Sequence, residues 1–170
     1  MRYRIVPERS RLWIDAKSSL HPIHAVTDGL EGHLELGSAA DGALAFGEPP
    51  VGKLSLAVSR LRSGNVLEDR ELHKRIDAER YPTIDGMLTA VERVDGTHRY
   101  RVSGALAFRG VARQCQDELS VEVVDDRTIR LEGQSTFDIR DFGMEPPKIL
   151  MLRVEPDVVV RIEVIAELER

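Results

Sequence analysis

Hydrophobic and polar residues alternate along most of the chain. Every second residue between 158 and 168 is apolar, and most of the residues between them are polar or charged. The same alternation recurs in segments 12–16, 100–108, 119–123 and 129–139. A period of two is typical of strands that bury one face and wet the other. Turn-forming sequences such as ERVDGTH and VVDDRT separate the segments, so the sequence predicts about eight antiparallel strands.

A long antiparallel sheet usually closes into a barrel or folds into a sandwich, because open edges invite aggregation. The chain has 170 residues and no internal repeat, low-complexity tract or linker. This length fits one domain with a substantial core. We therefore predict an all-β fold in a single domain over residues 1–170.

One segment departs from the alternation. NVLEDRELHKRIDAERYP, residues 65–82, spaces its apolar residues as a helix does. The pattern predicts a short helix from about Leu67 to Arg75, with Asn65 as its N-cap and an ion pair between Glu71 and Arg75. Pro82 then returns the chain to a strand.

The stretch SSLHPIHAVTDGLEGHLEL, residues 18–36, holds three of the five histidines. Pro22 lies between His21 and His24 and excludes a helix interior. If residues 24–36 form one strand, His24 lies on the face opposite to His33. Three interpretations stay open: a metal site at His21 and His24, a barrel-facing polar residue, or a His24 that contacts a ligand or acts as a base at a cavity mouth.

Composition excludes some classes of function. The net charge is −5 without a block of basic residues, so we expect neither nucleic-acid binding nor docking on anionic lipid. Cys115 is the only cysteine, and we interpret it as a small buried apolar residue. No apolar run is long enough to cross a bilayer, and the N-terminal residues lack the apolar region of a secretory signal. We therefore expect a cytoplasmic protein without stable membrane insertion.

The order of several motifs resembles the YceI-like lipid-binding proteins. The chain begins with YRIVPERSRLWIDA and continues with LSLAVSRLRSGNVLEDREL and DAERYPTI. It then shows VSGALAFRGVARQCQDEL, FDIRDFGM and the closing VEPDVVVRIEVIAEL. Together these motifs span nearly the whole chain. The resemblance implies a lipocalin-like antiparallel barrel of about eight strands with one or two short helices, closed over an apolar tunnel that holds an isoprenoid-like or other lipophilic molecule.

The sequence departs from the pattern of these relatives at two places. Arg75 and Ile76 stand where relatives have an aromatic pair, and Gly86 stands where they have a phenylalanine. If Gly86 points inward it opens space inside the barrel, unless Met87 or another neighbour fills that space.

We predict a non-catalytic carrier of a lipophilic small molecule, without a cofactor. No nucleotide-binding, nucleophile-elbow or zinc-hydrolase motif occurs in the chain. The candidate ligand-binding residues follow from alternation and are Leu12, Ile14, His24, Val26, Leu106, Phe108, Phe137 and Ile162. The alternatives are an enzyme or metal site built on His24 with His21 or Asp28, and a homodimer whose barrel is plugged by side chains.

Two further stretches have structural interpretations. In RDFG we expect Asp141 to cap or pair locally, Phe142 to pack, and Gly143 to adopt a positive φ. EPPKILML, residues 145–152, has consecutive apolar residues after two prolines, which favours a loop at the barrel mouth or a dimer contact.

Overall fold

The strands of the protein account for most of its chain. The computed structural model describes residues 1–38, 43–94, 97–149 and 151–170. In these residues one α-helix, α1 (Val66–Ile76), interrupts a series of twelve strands. The strands are β1 (Arg2–Ile5), β2 (Arg11–Ser18), β3 (Pro22–Thr27), β4 (Glu31–Ser38), β5 (Leu44–Phe46), β6 (Gly52–Ala57), β7 (Thr83–Arg93), β8 (Arg99–Phe108), β9 (Val111–Asp125), β10 (Thr128–Asp138), β11 (Lys148–Ile149) and β12 (Leu152–Leu168).

Eight of these strands form a closed antiparallel barrel. The order is β1, β4, β6, β7, β8, β9, β10 and β12, and β12 pairs back to β1. The predicted all-β, lipocalin-like barrel of about eight strands is therefore confirmed. β2 continues β1 along β12, and β3 pairs with β2.

The break between β1 and β2 is held by a buried serine. A single 3-10 turn, Pro7–Arg9, separates the two strands, which both pair with β12. The Ser10 hydroxyl donates to the Val6 carbonyl at 2.9 Å and accepts from the Ile165 N–H at 3.1 Å. A ladder hydrogen bond that the turn interrupts is thus replaced by a side chain.

A second break separates β3 from β4 and corrects the expectation of one strand over residues 24–36. The chain turns at residues 28–30, where Gly29 has a φ of +81°. Arg60 lies over this turn, donates to Asp28 at 2.7 Å, and accepts at its carbonyl from the Thr27 hydroxyl. The turn changes which side faces the core: Thr27 and Leu30 are both buried.

The helix forms close to where the sequence predicts it. Asn65 accepts from the N–H groups of Leu67 and Glu68, and the helix ends at Asp77 in a left-handed conformation. Arg75 donates to Glu71 at 2.9 Å, as the i,i+4 spacing predicts. The helix and its N-cap are confirmed.

The two ends of the barrel differ. At the closed end lie both chain termini and the loops that follow β7 and β9, and there the ring of eight strands is complete. At the helix end lie α1, the β8–β9 hairpin, the 3-10 turn Ile139–Phe142 and β11.

Replacing Ser10 with alanine is expected to destabilise the protein by about 1–3 kcal/mol, because it leaves the buried Ile165 N–H without a partner. Urea unfolding followed by circular dichroism measures this loss. Ser59→Ala, at an exposed serine, is the matched control and should stay within about 0.5 kcal/mol of the parent. Equal stability of the two variants would contradict the role given to Ser10.

Candidate functional site

The barrel interior is tightly packed at the closed end. Tyr3, Leu36, Ile129 and Val164 face inward there and are almost fully buried. Tyr100 packs edge to face on Phe46 with ring centroids 5.6 Å apart, and its hydroxyl donates to the Leu44 carbonyl. This end therefore has the packing of an ordinary core.

The same strands line a more open interior towards the helix end. Most of their inward-facing apolar residues there are only half-buried, in contrast to the four residues named above at the closed end. These residues, which we call the inner wall, are Ile14, Val102, Leu106, Phe108, Phe137, Val158, Val160 and Ile162. An inward-facing apolar side chain that keeps solvent contact borders space that another apolar molecule can fill.

Two gaps in the strand pairing explain why the interior opens. β9 and β10 pair only as far as Leu119 and Gly133, and beyond them residues 111–118 of β9 pair with β8 alone among the described residues. On the other side β3 pairs with β2 alone within the described part of the chain. The barrel therefore divides into two sheets at the helix end.

Arg109 holds the elements that cover this opening. It occupies the β8–β9 turn with Gly110, and both residues have positive φ angles, as a two-residue hairpin turn requires. Its Nε donates to the Arg75 carbonyl at 3.0 Å and its Nη1 to the Gly143 carbonyl at 2.6 Å. One side chain thus joins the end of α1 to the turn after β10.

The RDFG stretch belongs to this cover. Phe142 is buried and packs edge to face on Phe108 at 5.6 Å, and Gly143 has a φ of +68°. Both predictions are confirmed. The capping residue is Asp138 instead of Asp141, and its carboxylate accepts from the Arg140 N–H. The Arg140 guanidinium also donates to this carboxylate, and its hydrogen bonds, together with the one from the Arg140 backbone N–H, hold the pKa of Asp138 below its usual value.

Six of the eight predicted ligand-binding residues face the barrel interior. Leu12 belongs to the buried core, and the other five are half-buried inner-wall residues. These five are Ile14, Leu106, Phe108, Phe137 and Ile162. Gly86 also faces inward, but the side chain of Leu54 occupies the space beside it, 3.0 Å from where a Cβ would stand.

His24 and Val26 lie on the outer surface, where neither can line the interior. Val26 is 56% exposed, and His24 makes a hydrogen bond with Asp15 outside the barrel. The expectation failed because the turn at residues 28–30 reverses which residues of this segment face inward. His21 contacts its own neighbour Pro22, and Asp28 pairs with Arg60. The residues of the proposed His24 site are therefore not brought together.

Polar residues that the sequence did not identify as candidates lie beside the inner wall. Asp117 accepts a hydrogen bond from the Ser135 hydroxyl at 2.7 Å, at the point where β9 and β10 separate. Cys115 lies one position further along the same face of β9. The signal was present, because the alternation that groups Leu119 with Val121 continues backwards through Asp117 and Cys115.

Cys115 is half-buried, less than we expected, because the wall around it is open. Burial raises the pKa of its thiol above the usual value, and the negative charges of Asp117 and Asp141 raise it further. The thiol is thus kept in its neutral, weakly nucleophilic form.

The segment EPPKILML lies at the helix end, next to α1. Lys148 and Ile149 form β11 against the start of β12, and Met151 is 90% exposed. Leu150 lies outside the described residues. The segment therefore sits beside the opening, as a mouth loop would, and a dimer contact there stays a prediction.

The comparisons with known proteins agree with this architecture. The model of the YceI-like domain family matches residues 3–166, so the chain belongs to the YceI-like family. No curated protein matches it in sequence. Of the described residues, none forms a helix that is both long and apolar enough to cross a membrane.

Solved structures show the same fold at low sequence identity. A polyisoprenoid-binding domain from Saccharophagus degradans has a TM-score of 0.79 at 13% identity, and the match covers 98% of each chain. BcnA of Burkholderia cenocepacia has a TM-score of 0.77 at 14% identity, covering 95% of this chain and 98% of that one. The Campylobacter jejuni YceI protein has a TM-score of 0.62 at 15% identity, covering 81% of each.

Arg109→Gln is expected to lower the free energy of unfolding by about 1–3 kcal/mol, because two carbonyl groups lose a charged donor. Hydrogen exchange should show faster exchange in α1 and in residues 139–143 than in β10 or β12. Arg113→Gln is the control, since this exposed arginine lies on the next strand and its side chain donates only to the Ala112 carbonyl among the described residues. An unchanged rate of hydrogen exchange in α1 would contradict the role given to Arg109.

The rate of Cys115 alkylation by iodoacetamide is expected to rise at a more alkaline pH in the folded protein than in the protein unfolded in urea. The direction follows from the raised pKa, since less thiolate is present at any given pH. The midpoint of the pH profile is the readout, because steric shielding scales the rate equally at every pH. Identical midpoints would contradict the environment described for the thiol.

Proposed function

We propose that this protein binds a lipophilic small molecule in the open half of its barrel, against the inner wall, and carries or sequesters it without catalysis. One observation carries the proposal: the apolar side chains of the inner wall at the helix end are half-buried, whereas Tyr3, Leu36, Ile129 and Val164 at the closed end are almost fully buried. The inner wall lies between two sheets, and α1 and the turn after β10 cover it. Partly exposed apolar side chains in such a place bind an apolar ligand more favourably than they bind water.

The energetics are sufficient for useful binding. A chain molecule that buried about 400 Å² of apolar surface would gain about 10 kcal/mol. Association costs of about 4 kcal/mol then leave about 6 kcal/mol, which corresponds to a dissociation constant of tens of micromolar. Side-chain area supplies this affinity, so no reactive group is required.

The family supports the chemical class of the ligand. The Saccharophagus degradans relative is described as a polyisoprenoid-binding domain, and this chain has the same fold. By analogy we propose an isoprenoid-like chain as the ligand, with α1 and the turn after β10 covering it. The alternative site around His24 has its residues on the outer surface, while the inner wall offers apolar area.

Two adjacent residues of β3 provide a matched test of where the ligand binds. Ala25 faces inward opposite Ile14, and Val26 faces outward. Ala25→Trp fills space beside the inner wall and should weaken binding of farnesol about tenfold or more, while Val26→Trp should leave it unchanged. Equilibrium dialysis against farnesol measures both affinities, and thermal unfolding checks that both variants are folded.

Native mass spectrometry of the protein purified from cells is a further readout in the same experiment. A carrier should retain a hydrophobic adduct that organic extraction removes, and the adduct should be reduced in Ala25→Trp. A barrel plugged by its own side chains, the homodimer alternative, would carry no adduct and would bind no farnesol. Equal binding by the two tryptophan variants would contradict the proposed location.

A further inference from the structure

A small polar group lies beside the apolar inner wall, at the seam between β9 and β10. Asp117 and Ser135 face the interior here, and both are half-buried. Their backbones no longer pair, because the ladder between the two strands ends two residues earlier, at Leu119 and Gly133. The carboxylate therefore lies at the edge of the open interior.

The hydrogen-bonding capacity of Asp117 is largely unused. A carboxylate can accept about four hydrogen bonds, and among the described residues only the Ser135 hydroxyl donates to this side chain. No lysine, arginine or histidine of the described residues lies within ion-pair distance of it. Arg113 shares the inward face of β9, but it is four residues nearer the hairpin, about 13 Å along the strand.

Neighbouring residues give this part of the interior a negative electrostatic potential. Asp117 faces Val102 across the β8–β9 ladder, which offers no donor, and Cys115 beside it stays a neutral thiol. Asp141 adds a second negative charge near Cys115. Glu118 is adjacent in sequence but points outward, where it pairs with Arg99 and Arg101.

A ligand that fills the interior would remove the partly exposed Asp117 carboxylate from contact with solvent. An apolar chain against this carboxylate would leave a charged acceptor without hydrogen bonds. Burying an unsatisfied charged acceptor costs more free energy than burying an unsatisfied neutral one. A second carboxylate would add repulsion at low local dielectric. A hydroxyl or ammonium group would replace the solvent and complete the hydrogen bonds of Asp117.

We propose that Asp117, supported by Ser135, is the head-group subsite of the barrel and selects amphiphiles whose polar end donates hydrogen bonds, such as alcohols and amines, over fatty acids. This inference rests on the proposed lipid-binding function and adds a selectivity that the apolar wall alone does not produce.

The test compares three probes with the same chain at pH 7.4: dodecylamine and dodecanoate below their micellar concentrations, and dodecanol below its solubility limit. The parent protein should bind dodecylamine about tenfold or more tightly than dodecanoate, with dodecanol between them. Asp117→Asn should bring the ratio of the amine and carboxylate affinities close to one while it keeps affinity for the chain. Isothermal titration calorimetry gives all the affinities.

Glu118→Gln is the matched control, because it removes the same charge from the adjacent residue on the outer face. It should keep the preference of the parent protein, and thermal unfolding verifies that both variants are folded. If the parent binds the amine and the carboxylate equally, or if the preference survives Asp117→Asn, the subsite assignment is overturned and lipid binding stands. If none of the probes binds, the proposed function fails and the subsite fails with it.

Discussion

The pairing of β12 with its neighbours on both edges is the constraint on which the rest of the structure depends. This strand of 17 residues pairs with β10 along one edge and with β2 and then β1 along the other. Because β1 also pairs with β4, the ring closes at one end and forms a compact core there. At the other end β9 no longer pairs with β10, and β3 pairs with β2 alone among the described strands. The helix α1 and the turn Ile139–Phe142 lie at this end. The same hydrogen-bonded network thus creates both the stable half and the open half of the molecule.

Much of this fold could be predicted from the sequence, because alternation and helix capping are local signals. The faces of β8, β10 and β12 follow directly from their apolar spacing, and Asn65 marks the start of α1. The β3–β4 segment could not be predicted in the same way. Gly29 permits a sharp turn there. Arg60 packs over this turn and donates to Asp28, and this contact joins residues that are distant in sequence. A single reversal of face moved His24 and Val26 from the interior to the surface.

The candidate site shows a similar division. Five inner-wall residues were predicted from periodicity, since each lies on a regular strand. Asp117 and Ser135 share this periodicity, yet only the separation of β9 from β10 places them at an unpaired seam. Arg109 reads in sequence as part of a hairpin motif, and its bonds to Arg75 and Gly143 appear only when the chain is folded. Long-range polar contacts of this kind depend on where the strands stop, which is not encoded in their alternation.

The position of Trp13 has a spectroscopic consequence. It is the only tryptophan in the chain, and it lies on the outer side of β2 with the Arg161 guanidinium 4.2 Å above its ring. Its emission therefore reports on the cation beside it and on the outer surface of β12. Filling the interior would leave this fluorescence almost unchanged, while unfolding of the barrel would remove the stacked arginine and shift it. Trp13 fluorescence thus reports whether the barrel is folded and is insensitive to a ligand in its interior.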